Sequence, residues 1–194
     1  MLRKLMQKYT IILGSASPRR KELLTDIGLI FNIQTTDKEE NFPIELKEQE
    51  IAEFLAKQKS DFLSENLNPE DLLITADTIV SFNKELLKKP SDKEEAFNTL
   101  SKLSGNTHKV ITGVCIKTLE KEVVFSSTTM VTFNKLTKDE INYYINNYKP
   151  YDKAGAYGIQ EWIGKIGIKN IDGSYANVVG LPTSKLYEQL KSFI

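Results

Sequence analysis

Two arginines, Arg19 and Arg20, stand where an apolar segment ends and a helix is predicted to begin, in the sequence GSASPRRKELL (14–24). Ser17 suits the N-cap of that helix and Pro18 suits its first position, so a helix start explains part of the pattern. Positive side chains are nevertheless unfavourable at a helix N-terminus, which already carries partial positive charge. Their presence indicates an anion site, to which the backbone N–H groups of the helix would contribute.

A single carboxylate interrupts the apolar segment LLITADTIV (72–80). The segment predicts a central, buried strand. Asp77 within it is costly to bury unless it is paired or bound to a metal ion. The alternative is a structural role, in which Asp77 faces an arginine or caps a backbone group. We favour a functional role, because choices that oppose local stability tend to mark sites.

Other charged candidates carry weaker signals. Lys59 lies on a predicted helix, and Lys89 precedes Pro90, which keeps the lysine backbone extended. Glu39 and Glu40 belong to a short acidic segment. Taken alone, each of these residues also fits an ordinary solvated position.

The segment DKAGAYGIQ (152–160) combines small residues with one amide side chain. Gly155 and Gly158 allow the backbone to approach a ligand closely. Gln160 offers both a donor and an acceptor to the edge of a nucleobase. An ordinary flexible connection is the alternative.

Strands and helices alternate along the chain, and these elements must position the candidate side chains. Alternation and apolar runs predict strands at 9–13, 31–35, 72–80, 109–119 and 123–133, and a hairpin of 166–171 with 174–179 about Asp172-Gly173. Helices are predicted at 18–27, 48–65, from a Ser91/Glu94 capping box to about Gly105, after a Thr137/Glu140 capping box, and at 182–193. We therefore expect an α/β fold with a mixed sheet and helices packed on it.

Composition excludes several classes of site. The 194 residues include 26 basic and 26 acidic side chains, and this balance disfavours a general nucleic-acid binder. Single cysteine and histidine residues, Cys115 and His108, exclude an internal disulfide and a multi-histidine metal site. Neither a Walker nor a Rossmann glycine motif is present. The sequence has no apolar stretch long enough to span a bilayer, and it has no secretory signal pattern. We therefore expect a cytoplasmic protein.

Taken together, the segments resemble the Maf family of nucleoside triphosphate pyrophosphatases. The matching segments follow the family's order and cover nearly the whole chain: SASPRR (15–20), Glu39-Glu40, AKQK (56–59), ADTIV (76–80), KKPSD (88–92), LSGNTHKVITGV (103–114), DKAGAYGIQ and DGSYANVVGLP (172–182). DKAGAYGIQ is similar to the branch of the family that acts on dTTP and UTP. One departure is visible: the family commonly has glycine after GIQ, whereas Glu161 and Trp162 follow here.

The resemblance implies a role for each matching position. Asp77 matches the catalytic proton acceptor, and Glu39 and Asp77 would hold a divalent cation, Mg²⁺ or Mn²⁺. The positions tied to substrate selectivity are Arg19, Thr78 and Gln160, and the other substrate-binding positions are Ser17, Arg20, Lys59 and Lys89. The resemblance also implies a homodimer and a single domain, 1–194, of two interwoven lobes around a cleft. Its fold would be similar to the inosine triphosphate pyrophosphatases, with an elongated mixed sheet.

The implied reaction is attack of water on the α-phosphorus of dTTP or UTP, which releases the monophosphate and pyrophosphate and serves to clean the nucleotide pool. Asp77 would accept the water proton, either directly or as a ligand of the cation that acidifies the water. The physiological substrate can be a standard or a modified pyrimidine triphosphate. Two alternatives are a nucleotide-binding regulator of septum formation without significant turnover and a nucleic-acid-binding module built on the SPRR turn.

Overall fold

The computed structural model describes residues 2–38 and 41–194. In this part of the chain the strands are β1 (Thr10–Leu13), β2 (Asn32–Ile33), β3 (Asp71–Phe82), β4 (Glu85–Leu87), β5 (Thr107–Lys117), β6 (Glu122–Phe133) and β7 (Ile168–Asp172). They form one sheet in the order β2-β1-β3-β5-β6-β7, with β4 paired to β3. β1 is parallel to β2 and β3, whereas β4 and β7 are antiparallel to their neighbours. The predicted mixed sheet is confirmed.

The helices of the described residues flank this sheet. They are α1 (Leu2–Lys8), α2 (Pro18–Asp26), α3 (Glu48–Leu63), α4 (Lys93–Leu103), α5 (Lys138–Tyr148), α6 (Trp162–Gly167), α7 (Tyr175–Val179) and α8 (Thr183–Leu190), with short 3₁₀ turns between some of them. None of these helices is both long and apolar enough to cross a lipid bilayer.

Two local predictions from the sequence were wrong. The cap of α4 is Asp92 rather than Ser91, since the Asp92 carboxylate accepts from the Glu95 N–H at 2.8 Å. The segment 174–179 forms α7 instead of the second strand of a hairpin. In α7 the buried Asn177 side-chain amide donates to the Val110 carbonyl at 3.0 Å, a tertiary bond that outweighs the local strand preference.

The chain divides into two compact units, each assembled from separate segments. The first unit contains the chain up to Thr78, Thr112–Ser127 and Gly180–Ile194. Alternate residues of β3 fill its core, which includes Leu72, Ile74, Ala76, Val114, Ile116, Leu181 and Leu186. α3 crosses β5 directly at Gly113, where an added Cβ would lie 2.0 Å from the Ala52 carbonyl oxygen. Only glycine allows this contact, which fixes α3 against the sheet.

The second unit contains Ile79–Ile111 and Thr128–Val179. Its core draws on β5, β6, α4, α5 and the segment after α5, and includes Leu100, Val110, Val131, Phe133, Ile145, Tyr157 and Ile163. This unit has its own buried apolar cluster, as the first one does. The single domain predicted from the sequence, made of both units, stays a prediction.

His108 is buried in the core of the second unit, where its Nε2 lies 2.7 Å from the Tyr157 hydroxyl. The rings of Tyr157 and Phe133 pack against the imidazole with centroids 5.4 and 5.6 Å away. Burial lowers the pKa of His108 to about 4, because the apolar surroundings disfavour the imidazolium. The folded chain therefore keeps this histidine neutral at neutral pH.

We expect this burial to make the fold less stable in mild acid. An unfolded chain takes up a proton at His108 near pH 6.5, whereas the folded chain resists protonation until about pH 4. The free energy of unfolding should fall by about 1.4 kcal/mol per pH unit from this group as the pH drops through that window, and the contribution should level off below it. Urea unfolding of the wild type and His108→Gln, measured from pH 7.5 to 4.5, tests this. Identical pH dependence in the two proteins would contradict it.

Candidate active site

The turn between β1 and α2 carries the first group of candidate residues. Ser17 is the N-cap of α2: its hydroxyl accepts from the Arg20 N–H at 3.5 Å, and its own N–H donates to the Ser15 hydroxyl at 3.2 Å. Pro18 occupies the start of the helix, where the lack of an N–H costs nothing. The predicted helix start is confirmed, and it brings Arg19 and Arg20 into the first turn of α2.

Arg20 is buried, with only 9% of its surface exposed. Its guanidinium donates to the Gly180 carbonyl at 2.9 Å, the Ser15 hydroxyl at 3.2 Å and the Thr78 hydroxyl at 3.1 Å. Each of these three acceptors is an uncharged oxygen, and together they orient the guanidinium. The fork of Arg20 thus joins the start of α2 to β3 and to the segment before α8. Arg19, which precedes Arg20, is half-buried.

Thr78 connects the arginine to a second strand. Its hydroxyl lies 2.9 Å from that of Thr112 on β5 and 3.5 Å from the Gly180 carbonyl oxygen. A hydroxyl that accepts from Arg20 and has these neighbours is held in one orientation.

Asp77 is paired with Lys59, which reaches it from α3. The lysine Nζ contacts Oδ1 of Asp77 and also donates to the Ala76 carbonyl at 3.5 Å. Both side chains are mostly buried, with 15% of Lys59 and 18% of Asp77 exposed. The carboxylate that interrupts the apolar strand is therefore compensated by a neighbouring charge, as its burial requires.

This ion pair lies where β1 stops covering the edge of β3. Pairing of the two strands ends at Leu13 with Ile74, and the last bond runs from the Gly14 N–H to the Ile74 carbonyl at 2.8 Å. Because a strand repeats every two residues, the Ala76 carbonyl points to the same edge as that of Ile74. There it meets the Lys59 ammonium group instead of β1.

Asp77 and Thr78 are consecutive on β3, so their side chains point to opposite faces of the strand. Asp77 faces α3 and Lys59, whereas Thr78 faces Arg20 at the start of α2. β1 pairs with neither residue, because its pairing with β3 ends at Ile74.

Two of the other predicted residues belong to the second unit of the chain. Lys89 is exposed just after β4, and Gln160 is half-buried just before α6; both belong to the second unit. The Oε1 atom of Gln160 is buried and has no hydrogen-bond partner among residues 2–38 and 41–194. Glu39 and its neighbour Glu40 lie outside the described residues.

Comparison with known proteins identifies the family. The sequence profile described as Maf-like protein matches residues 10–193. The chain belongs to the Maf family. This Maf chain is 51% identical over 187 residues to a dTTP/UTP pyrophosphatase of Flavobacterium psychrophilum, covering 96% of each chain. It is 47% identical over 194 residues to a dTTP/UTP pyrophosphatase of Flavobacterium johnsoniae, covering 100% of each.

Among solved structures, the Ham1 protein of Staphylococcus aureus superposes on this Maf chain with a TM-score of 0.43 and 15% sequence identity, covering 93% of this chain and 99% of that one.

Sequence reasoning missed three contributors to the group around Arg20. Ser15 and Thr112 supply hydroxyl groups, and Gly180 supplies a backbone carbonyl. Ser15 stands two residues before the N-cap, and Gly180 lies in the segment VVGLP, so both were inside recognised motifs. The bond between Arg20 and Gly180 could not be predicted, because the two residues are 160 positions apart in the sequence.

Proposed function

We propose that this Maf chain is a nucleoside triphosphate pyrophosphatase that hydrolyses dTTP and UTP to the monophosphate and pyrophosphate. The names of its close relatives support this substrate class. The observation that carries the proposal is the pairing of Asp77 with Lys59 at the edge of β3 that β1 leaves uncovered. A carboxylate fixed on a strand beside a cationic group suits hydrolysis of a phosphate anhydride.

In this proposal the triphosphate binds at the start of α2. The backbone N–H groups of the first helical turn and the side chain of Arg19 meet the phosphate oxygens, and Ser17 offers its hydroxyl. Arg20 contributes positive charge from a buried position. Lys59 and Lys89 add point charges that stabilise the leaving pyrophosphate.

Asp77 accepts the proton of the water molecule that attacks the α-phosphorus. The oxygen of that water becomes part of the nucleoside monophosphate, while the bond from the α-phosphorus to the bridging oxygen breaks and pyrophosphate leaves. The Lys59 contact at Oδ1 limits rotation of the carboxylate. A general base must be held in this way to act on a water molecule in line with the leaving group.

A divalent cation fits the donor set. The described residues contain no cluster of three acidic, histidine or cysteine side chains, so they form no cage made of protein alone. Mg²⁺ and Mn²⁺ at phosphate-transfer sites commonly use only one or two carboxylates together with substrate phosphates. Asp77 and Glu39 would hold the cation. When bound, the cation supplies charge neutralisation at the phosphates.

Gln160 and Thr78 set the choice of base. Thymine and uracil present an N–H donor at N3 between two carbonyl oxygens, whereas cytosine presents an acceptor at N3. The buried, unpartnered Oε1 of Gln160 suits the N3–H donor. A mismatched base would leave that oxygen without a partner, and this is how a hydrogen-bonding site discriminates. Thr78 supports the selection through its bond to Arg20.

The proposal includes a homodimer of this chain in the cytoplasm that acts on a small-molecule nucleotide, without nucleic acid or membrane as a partner. It predicts metal-dependent release of pyrophosphate from dTTP and UTP.

A panel of standard and modified triphosphates, each assayed with Mg²⁺, Mn²⁺ and no added metal, tests this proposal. Rapid turnover of dTTP or UTP is the expected result, and it would exclude a purely regulatory nucleotide-binding protein. Tight binding of these nucleotides without turnover would overturn the proposal.

A further inference from the structure

The hydroxyl group of Tyr144 connects two positions on either side of Gln160. Tyr144 is a fully buried residue of α5. Its hydroxyl accepts from the Gly158 N–H at 3.0 Å and donates to Oε2 of Glu161. Burial, together with the bond to the Glu161 carboxylate, raises the pKa of Tyr144, so the hydroxyl keeps the proton that it donates.

The other oxygen of the same carboxylate is bound by a buried lysine. Lys153 Nζ lies 3.1 Å from Oε1 of Glu161 and 2.7 Å from Oδ1 of Asp152. The Lys153 side chain is only 9% exposed, whereas that of Asp152 is 58% exposed. Since a charge pair gains more from a buried partner than from a solvated one, Glu161 is the partner that matters to Lys153.

Gly158 and Glu161 are also the two ends of a tight turn. The Glu161 N–H donates to the Gly158 carbonyl at 3.0 Å, which closes a four-residue turn with Gln160 as its third residue. An added Cβ on Gly158 would lie 2.8 Å from Cδ of Glu161. A side chain at 158 would therefore have to displace the carboxylate.

These contacts matter for Gln160 because its Oε1 has no hydrogen-bond partner in the described part of the chain. The location of this oxygen therefore depends on the backbone of the turn. That backbone is fixed at Gly158 by Tyr144 and at Glu161 by both Tyr144 and Lys153.

We propose that Glu161 is a positioning residue for base selection: its carboxylate, shared between Tyr144 and Lys153, sets the turn from which Gln160 meets the base. This inference rests on the proposed function, because it assigns Gln160 the base contact. A base-specific contact tolerates little displacement, since a shift of about 1 Å in a binding group can cost about 10²-fold in rate.

The test compares Glu161→Gln with a matched control, Glu85→Gln. The first variant keeps the size of the side chain and removes the charge that holds Lys153. The control makes the same change in the same unit at an exposed glutamate, which pairs with Lys102 at 2.9 Å. We expect Glu161→Gln to lower the ratio of kcat/KM for UTP to that for CTP by about tenfold, and Glu85→Gln to leave it unchanged.

Gln160→Ala separates positioning from a general structural effect. In the Gln160→Ala background, Glu161→Gln should cause no further loss of the ratio, because it acts through an amide that is no longer there. An additional loss in that background, or an unchanged ratio in Glu161→Gln alone, would overturn the inference. Tyr144→Phe keeps the buried ring and removes only the hydroxyl, and it takes the place of Glu161→Gln in both backgrounds if that variant does not fold.

A second readout is independent of catalysis. Trp162, the single tryptophan of the chain, follows Glu161 directly and packs on Tyr143 with ring centroids 4.8 Å apart. Its emission should shift in Glu161→Gln and not in Glu85→Gln if the carboxylate sets the turn, and equal spectra would overturn the inference. A wild type that does not turn over UTP would instead refute the proposed function, so the two failures are distinguishable.

Discussion

Asp77→Asn should slow hydrolysis of dTTP by about 10²–10⁴-fold, the range that a general base contributes. The substitution keeps the shape of the side chain and one oxygen acceptor, but it removes both the negative charge and the basicity. Loss of a cation ligand would add to the effect. Single-turnover cleavage of dTTP, with enzyme in excess, measures the chemical step without interference from product release.

The same variant should remain folded, but slightly less stable. An isolated buried carboxylate would be costly, and its removal would stabilise the protein. Asp77 is instead paired with Lys59, so asparagine leaves that largely buried ammonium group facing a neutral partner. A thermal melt accompanies the kinetic assay to separate the two effects.

Asp71→Asn is the matched control for this experiment. Asp71 is a buried carboxylate on the same strand, and its Oδ2 accepts from the Asn68 N–H at 2.8 Å and from the Asn68 side-chain amide at 3.0 Å. It should change stability and leave the rate per folded molecule unaltered. Near-normal cleavage by folded Asp77→Asn that still binds nucleotide would reject Asp77 as the base, and the search would move to Glu39 or Glu40.

Arg20→Ala should lower kcat/KM for dTTP by about 30–150-fold, which corresponds to about 2–3 kcal/mol of transition-state stabilisation. The variant loses a buried positive charge at the start of α2 and the bonds to Ser15, Thr78 and Gly180. Because two hydroxyl groups and one carbonyl in this group lose their donor, a stability loss of about 1–3 kcal/mol is also expected.

Arg20→Lys divides these contributions. Lysine keeps the charge but, as a point donor, cannot bridge three acceptors that a planar fork reaches at once. We expect it to recover part of the rate and little of the stability, as measured by kcat/KM per folded molecule and urea unfolding. Lys21→Ala, at an exposed position of the same helix, serves as the control. Unchanged kinetics in Arg20→Ala would remove this residue from the site.

Much of the fold could be predicted because the local signals agree with one another. The apolar run around Asp77 forms β3, and the Thr137/Glu140 capping box starts α5 as expected. The hairpin turn between β3 and β4 has Asn83 and Lys84 at positive φ, a conformation that asparagine tolerates better than most residues. In each case the residues near the element carry a clear signal for its conformation.

The failures occur where distant residues decide the structure. The Asp172-Gly173 turn signal predicted a strand at 174–179, yet the buried amide of Asn177 bonds to Val110 and Thr129 in a short helix. The sequence suggested that Gly158 lets the backbone approach a ligand, and it did not indicate the Glu161 carboxylate that lies where a side chain at 158 would be. Composition and spacing contain no information about such contacts.

The candidate site shows the same division. Residue types and the family resemblance identified Arg20, Thr78, Lys59 and Asp77, and the structure brings them together as two bonded pairs. That the pairs lie on opposite faces of β3, beyond the end of β1, follows from strand register. The register depends on pairing between segments about 60 residues apart in the sequence, which no local pattern specifies.

Hydrolysis of dTTP in H₂¹⁸O tests the central claim most directly. If water attacks the α-phosphorus, mass spectrometry will find one ¹⁸O atom in the thymidine monophosphate and none in the pyrophosphate from a single turnover. Label in the pyrophosphate would contradict attack at the α-phosphorus, and release of orthophosphate with the diphosphate would contradict the reaction itself.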